Sequence, residues 1–164
     1  MRYALTGTII SSPLGDLWAE ASDRGLRRLM FGPPPENSIC ADHVLWGPLI
    51  RQLEDYWAGR LRSFSLPLDM MGSPFQKKVW DSLLLIPWGK TVTYSEQAKQ
   101  IGDQRAVRAV AAANGRNPLA IVVPCHRVIG SDGSLTGYAG GLERKQALLE
   151  HEGWAQRGQL RMDL

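Results

Sequence analysis

The chain has 164 residues, 44% of them hydrophobic and 21% charged, a globular composition that excludes a largely disordered chain. Its two cysteines, Cys40 and Cys125, are too few for a disulfide-stapled fold, and no apolar run approaches the roughly 20 residues of a membrane span. The net charge of +3 is uneven: residues 1–72 carry 7 Lys+Arg against 8 Asp+Glu, and residues 73–164 carry 12 against 8. A basic second half suits an anionic partner such as nucleic acid, although many domains with this balance bind none.

In chain order, Tyr3–Ile10 is rich in β-formers and Ser11-Ser12-Pro13-Leu14-Gly15 reads as a turn. Leu17–Ala21 is the expected returning strand, and Leu26–Phe31 a third after the turn Asp23-Arg24-Gly25. Beyond Pro33-Pro34-Pro35, Leu45, Leu49, Leu53 and Trp57 recur every four residues, a helical stripe that Gly59 ends. Leu61–Leu68 is expected to add one more strand. Residues 1–68 then make a small structural α/β unit, 69–72 a linker, and 73–164 a separate domain.

In that second domain, Ser73-Pro74 is an N-cap followed by proline at the first helical position. Phe75, Val79 and Leu83 line one face of the helix it opens, which Pro87 and Gly89 stop. Thr93-Tyr94-Ser95-Glu96 fits a capping box, in which threonine and glutamate satisfy each other's exposed N–H groups. Its short helix ends at Gly102, and Asp103 can cap a second one from Gln104 to Asn114, closed by Gly115. Two short helices across a tight turn form a helix-turn-helix pattern, which by itself is weak evidence for DNA binding. The second helix is thin, with Ala106, Ala109, Ala111, Ala112 and Ala113, while Arg105 and Arg108 project from it. A thin helix can approach a narrow groove and an arginine can enter a base stack, but alanine is also simply the best helix former. The fold class expected overall is α+β, a small N-terminal α/β unit followed by a mostly helical domain.

Ile121-Val122-Val123 reads as a short buried strand leading into Pro124-Cys125-His126-Arg127-Val128. An imidazole near a thiol can help the thiolate form. Neighbouring side chains on an extended backbone point to opposite faces, so Cys125 and His126 cooperate only across a tight turn or through a water. Glu152 or Glu150, near the end of the last helix, is a candidate carboxylate to hold the imidazole. The bland alternative is a buried, inert Cys125.

The stretch Pro124–Val128 resembles the signature of the O6-alkylguanine-DNA alkyltransferases. The resemblance runs through Phe75-Gln76, Pro87-Trp88-Gly89, Thr93-Tyr94, Arg105–Val110, Asn117-Pro118, Thr136–Gly141 and Leu148–Gly153. Before residue 73 it is loose, mainly Ser12-Pro13-Leu14-Gly15 and Tyr56-Trp57-Ala58-Gly59. It implies a DNA repair enzyme that moves an alkyl group from O6-alkylguanine, and from O4-alkylthymine, to Cys125 in a single irreversible turnover. His126 would take the thiol proton through water, Glu152 would orient His126, and Asn117 would stabilise the turn bearing Cys125. Tyr94 would donate to the departing guanine, and Arg108 would fill the stack left by the flipped nucleotide. Val128, Gly137, Tyr138 and Ala139 would line the pocket, with Ser95 and Ser131 on phosphates. The partner implied is double-stranded alkylated DNA, entered through the minor groove by a monomer that could assemble cooperatively. No membrane, cofactor or metal is implied, since Cys40 and His43 cannot complete the zinc site found in some relatives. The expected location is cytoplasmic.

Two rivals have different signatures. A lesion-binding relative without activity would lack the acceptor cysteine, which is present here. A thiol hydrolase using Cys125, His126 and Glu152 would leave Tyr94, Arg108 and the helix pair without a task.

Overall fold

The computed structural model describes residues 5–154. The described chain forms two compact units, residues 5–73 with Pro118–Val122, and Pro74–Asn117 with residues 123–154. The fold is α+β, as expected: a small sheet with one helix in the first unit, and a mostly helical second unit.

In the first unit β1 (Thr6–Ile10), β2 (Leu17–Ser22) and β3 (Gly25–Phe31) form an antiparallel meander in the order β1-β2-β3. Tyr3, predicted to open the first strand, lies outside the described residues. Gly7 is needed for close approach, because a Cβ there would run into the Trp18 ring that crosses it from β2. The helix α1 (Trp46–Trp57) buries Trp46, Leu49, Leu53 and Tyr56. Tyr56 rather than Trp57 completes the stripe, because 3.6 residues per turn displaces a strict four-residue spacing round the helix. Burying each such leucine contributes about 1.5–3 kcal/mol.

Two expected strands are not strands. Leu61–Leu68 reduces to one bridge between Leu68 and Leu26, and Asp69 beyond it is fastened to the sheet by Ser22 Oγ and by its own N–H on Leu26 O. The segment before the Cys125 motif bridges β3 through Leu119 and Leu29, then turns sharply. Val122 N–H donates to Ala120 O at 2.8 Å around Ile121, whose φ of 71° is a strained left-handed value for a β-branched residue. Backbone hydrogen bonding to β3 and this turn override the β propensity of the triplet, although all three residues are buried as expected.

The second unit starts with α2 (Pro74–Leu83), followed by β4 (Val92–Thr93), α3 (Tyr94–Gln100) and α4 (Val107–Gly115). Both halves of the Thr93/Glu96 capping box are present. Gly102, at φ 92°, makes the turn between α3 and α4. The second helix begins at Val107 rather than Gln104, because Asp103 closes a turn of its own by accepting the N–H of Arg105 on Oδ1 and that of Ala106 on its carbonyl. A buried clasp joins the three helices: Gln97 and Asn114 exchange reciprocal amide hydrogen bonds, Gln97 also donates to Ser82, and Trp80 donates to Ala113 O. A 3-10 turn (Cys125–Arg127) leads into β5 (Val128–Ile129), parallel to β4, and α5 (Leu142–His151) ends the described chain. Among the described residues no helix is long and apolar enough to cross a membrane.

Candidate active site

Two local devices deliver Cys125. Its N–H reaches back to Val123 O at 2.9 Å around Pro124 (φ −84°, ψ 65°), an inverse γ-turn, and the chain then enters the 3-10 turn. The Asn117 amide donates to Val123 O at 2.7 Å and also hydrogen-bonds the Cys125 side chain, so it braces the turn and the sulfur together. Cys125 is partly exposed, and the tight turn lets its neighbour His126 point inward.

His126 is fully buried, with Nε2 2.9 Å from Glu152 Oε2. Burial lowers its pKa, outweighing the opposing pull of Glu152, so the ring is neutral and Nε2–H donates to the carboxylate. Nδ1 is then an acceptor, buried and without a hydrogen-bond partner among the described residues. Burial would raise the Glu152 carboxyl, but hydrogen bonds from His126 and Arg127, together with the Arg127 charge, bring it down to about 2. Arg127 grips it through Nε at 2.7 Å and Nη2 at 3.0 Å, and is itself held by Nη1 on Ile86 O at 2.6 Å. Of the two candidate carboxylates Glu152 is therefore the one at the imidazole, while Glu150 accepts from Gln146 on the exposed side of α5.

Cys125 opens into a cavity of about 520 Å³ lined by Tyr94, Val107, Arg108, Ala111, Asn114, Gly115, Thr136, Gly137, Tyr138 and Ala139. The helix-turn-helix thus supplies one wall and residues 136–139 the other. Burial and the neighbouring Cys125 raise the phenols of both Tyr94 and Tyr138. The Tyr94 hydroxyl donates to Thr136 O at 2.8 Å, and the Tyr138 hydroxyl is buried without a hydrogen-bond partner among the described residues. The Cys125 thiol is raised by burial, against the lowering effects of Asn117 and of the Lys145 charge, so it rests protonated at neutral pH.

Of the residues picked from the sequence, Tyr94, Arg108, Cys125, Gly137, Tyr138 and Ala139 line this cavity, Asn117, His126 and Glu152 brace the Cys125 turn behind it, and three do neither. Val128 does not line it: as a β5 residue paired with Val92 it is fully buried. Ser95 and Ser131 are exposed and also outside the lining. Cys40 is exposed, and His43 is occupied by backbone, accepting Leu45 N–H on Nδ1 and reaching Ser22 O with Nε2. Sequence reasoning missed Arg127, quoted in the motif but given no task, and Lys145. The signal for Lys145 is its spacing: with Leu148 and Leu149 it occupies i, i+3 and i+4 on the buried face of α5.

Residues 74–154 match the family profile "6-O-methylguanine DNA methyltransferase, DNA binding domain", and residues 1–70 the profile "6-O-methylguanine DNA methyltransferase, ribonuclease-like domain". A methylated-DNA–protein-cysteine methyltransferase of Mycolicibacterium paratuberculosis is 58% identical over 87% of this chain and 89% of its own length. One from Methanosarcina barkeri is 49% identical over 88% and 94%. The crystal structure of the Mycobacterium tuberculosis OGT in complex with DNA is similar at TM-score 0.83 and 45% identity, covering 90% of this chain and 93% of that one. The chain belongs to the 6-O-methylguanine DNA methyltransferase family of enzymes.

Proposed function

We propose that this protein repairs DNA by moving the alkyl group of O6-alkylguanine onto Cys125. The observation that carries the reading is a partly exposed thiol opening into a cavity beside a neutral histidine, whose Nε2 is held by Glu152 and whose Nδ1 is left as a base. The resting thiol is protonated, which protects an acceptor that works once from stray alkylating agents. On substrate binding, His126 Nδ1 takes the thiol proton through a bridging water, and Glu152, kept ionised by Arg127, stabilises the imidazolium. The thiolate attacks the alkyl carbon. The S–C bond forms as the C–O6 bond breaks, and its electron pair returns to the guanine. Tyr94 donates a hydrogen bond to the ring that carries this charge. The thioether has no hydrolytic exit, so each molecule acts once.

The target base must leave the stack before sulfur can reach it, at a cost of a few kcal/mol. Arg108, exposed on α4 at the mouth of the cavity, is the wedge that replaces it. The alanine-lined α4 enters the minor groove, where a thin helix fits. Ser95 and Ser131 contact phosphate from exposed positions. The same cavity admits O4-alkylthymine, whose ring is smaller.

Intact-protein mass spectrometry after incubation with duplex DNA carrying O6-methylguanine tests this reading. One added methyl per chain, mapped to Cys125, is expected. Cys125→Ala is expected to gain none and still bind the alkylated duplex. Methyl on another residue, or continued turnover, would sink the proposal.

A further inference from the structure

Lys145 is a wholly buried ammonium that the chemistry above does not use. Lysine is almost never buried without partners, since a charge in low dielectric is costly. Here the partners are oxygens of the cavity wall: Nζ lies 3.0 Å from Thr136 O, 3.4 Å from Gly137 O and 3.4 Å from Tyr94 Oη. An ammonium group has three donors and no acceptor, so Lys145 donates into the phenol oxygen while the Tyr94 proton goes to Thr136 O at 2.8 Å. The Thr136 carbonyl therefore receives two donors, one for each lone pair.

This arrangement has a consequence for Tyr94. Its hydroxyl cannot serve a base in the cavity while it serves Thr136 O. If it turned away with no second donor present, the carbonyl would lose its hydrogen bond, which opposes the turn. With Lys145 in place the carbonyl keeps a charged donor. A cationic donor on the phenol oxygen also polarises the O–H bond and makes it a stronger donor. We infer that Lys145 is a positioning residue on the leaving-group side of the reaction: it holds the Thr136–Gly137 wall and releases the Tyr94 hydroxyl to the departing guanine. Lys145 acts as a hydrogen-bond donor only, with no proton passed on. The inference rests on the reading of Tyr94 as leaving-group donor.

Burial lowers Lys145 to about 8, with the neighbouring Cys125 pulling the other way. The titratable groups near it are Tyr94 on α3 and Cys125 and His126 on the 3-10 turn.

The test compares the native chain, Tyr94→Phe, Lys145→Met and the double variant in single-turnover transfer from O6-methylguanine duplex. The same proteins are titrated with iodoacetamide, which alkylates the thiol without a guanine leaving group. Each single variant is expected to slow methyl transfer at least about tenfold, and the double variant to be within about twofold of Tyr94→Phe. For Lys145→Met the loss on DNA is expected to exceed the loss on iodoacetamide by about tenfold or more, although its charge also aids the thiolate. The ratio of the DNA rate to the iodoacetamide rate cancels thiolate formation. In the native chain this ratio is expected to fall above pH about 8 as Lys145 loses its charge, and in Lys145→Met to stay level. Losses that multiply in the double variant, or equal losses on both reagents, overturn the role of Lys145. If Lys145→Met does not fold, a level native ratio overturns it alone. Tyr94→Phe reacting at the native rate overturns the Tyr94 reading itself, a distinct result.

Discussion

Glu152 shows how one buried carboxylate that holds the His126 ring also sets stability. Its side chain is wholly enclosed, yet hydrogen bonds from Arg127 and His126 keep it ionised down to about pH 2. A carboxyl with a folded pKa below its ordinary 4.5 adds stability that is complete above that value and lost as pH falls toward 2. A difference of this size corresponds to about 3 kcal/mol. His126 acts in the same direction: its folded pKa lies below 6.5, so the unfolded chain gains that proton first and acid favours unfolding. From these two groups, urea denaturation is expected to give a stability that is lower at pH 5 than at pH 7 and falls further as pH drops toward about 2. Glu152→Gln should cost roughly 3–5 kcal/mol at pH 7 by leaving Arg127 buried without its charge partner, and should flatten the decline below pH 5. An unchanged decline in that variant would place the acid sensitivity on other carboxylates.

At the scale of elements, what was legible in the sequence was what neighbouring residues decide. The three strands, the apolar stripe of α1, the Ser73-Pro74 start and the Thr93/Glu96 box all rest on contacts within a few residues. Cys125 and His126 were legible for another reason: reactive residue types stand out wherever they occur. The turn at Ile121 was not legible, because three β-branched residues suggest a strand and only the pairing of Leu119 and Ala120 with Leu29 decides otherwise. The place of Lys145 was partly visible in helical spacing, but its oxygen partners come from residues 136–137 and from α3. The Gln97–Asn114 clasp was hidden in the same way, since amides on two separate helices carry no mark of mutual burial. It yields a sharp expectation. Gln97→Leu leaves the Asn114 amide and the Ser82 hydroxyl short of partners and should cost roughly 2–4 kcal/mol. Adding Asn114→Leu should recover part of that loss, because an apolar pair strands fewer polar groups. Thermal unfolding of the two single variants and the double variant measures the coupling, and additive losses would mean that the two amides do not act as a pair.

At the scale of the whole molecule, positive charge and the candidate site fall in the same half of the chain. The residues from 73 onward hold 12 Lys+Arg against 8 Asp+Glu, and they include the thiol, its histidine and carboxylate, and the cavity. A general positive field draws a protein to any duplex, damaged or not, and cannot by itself bring a stacked base to a thiol. Arg108 separates these two tasks, because it is a charge that also stands at the cavity mouth. If it served only to neutralise phosphate, Arg108→Ala would weaken binding to every duplex and reduce the salt dependence of binding by about one unit of slope. If it fills the space of an extruded nucleotide, the loss should appear where extrusion is required. Reaction with O6-methylguanine in duplex DNA should then slow by about ten- to a hundredfold, which is one to two factors of 1.4 kcal/mol against a flipping cost of a few. Reaction with the free modified base needs no extrusion and should change by less than about threefold, with the salt slope nearly constant. Single-turnover rates on the two substrates, measured at two salt concentrations, distinguish the cases. Equal slowing on duplex and free base would assign Arg108 to the shape of the cavity rather than to the opening of the duplex.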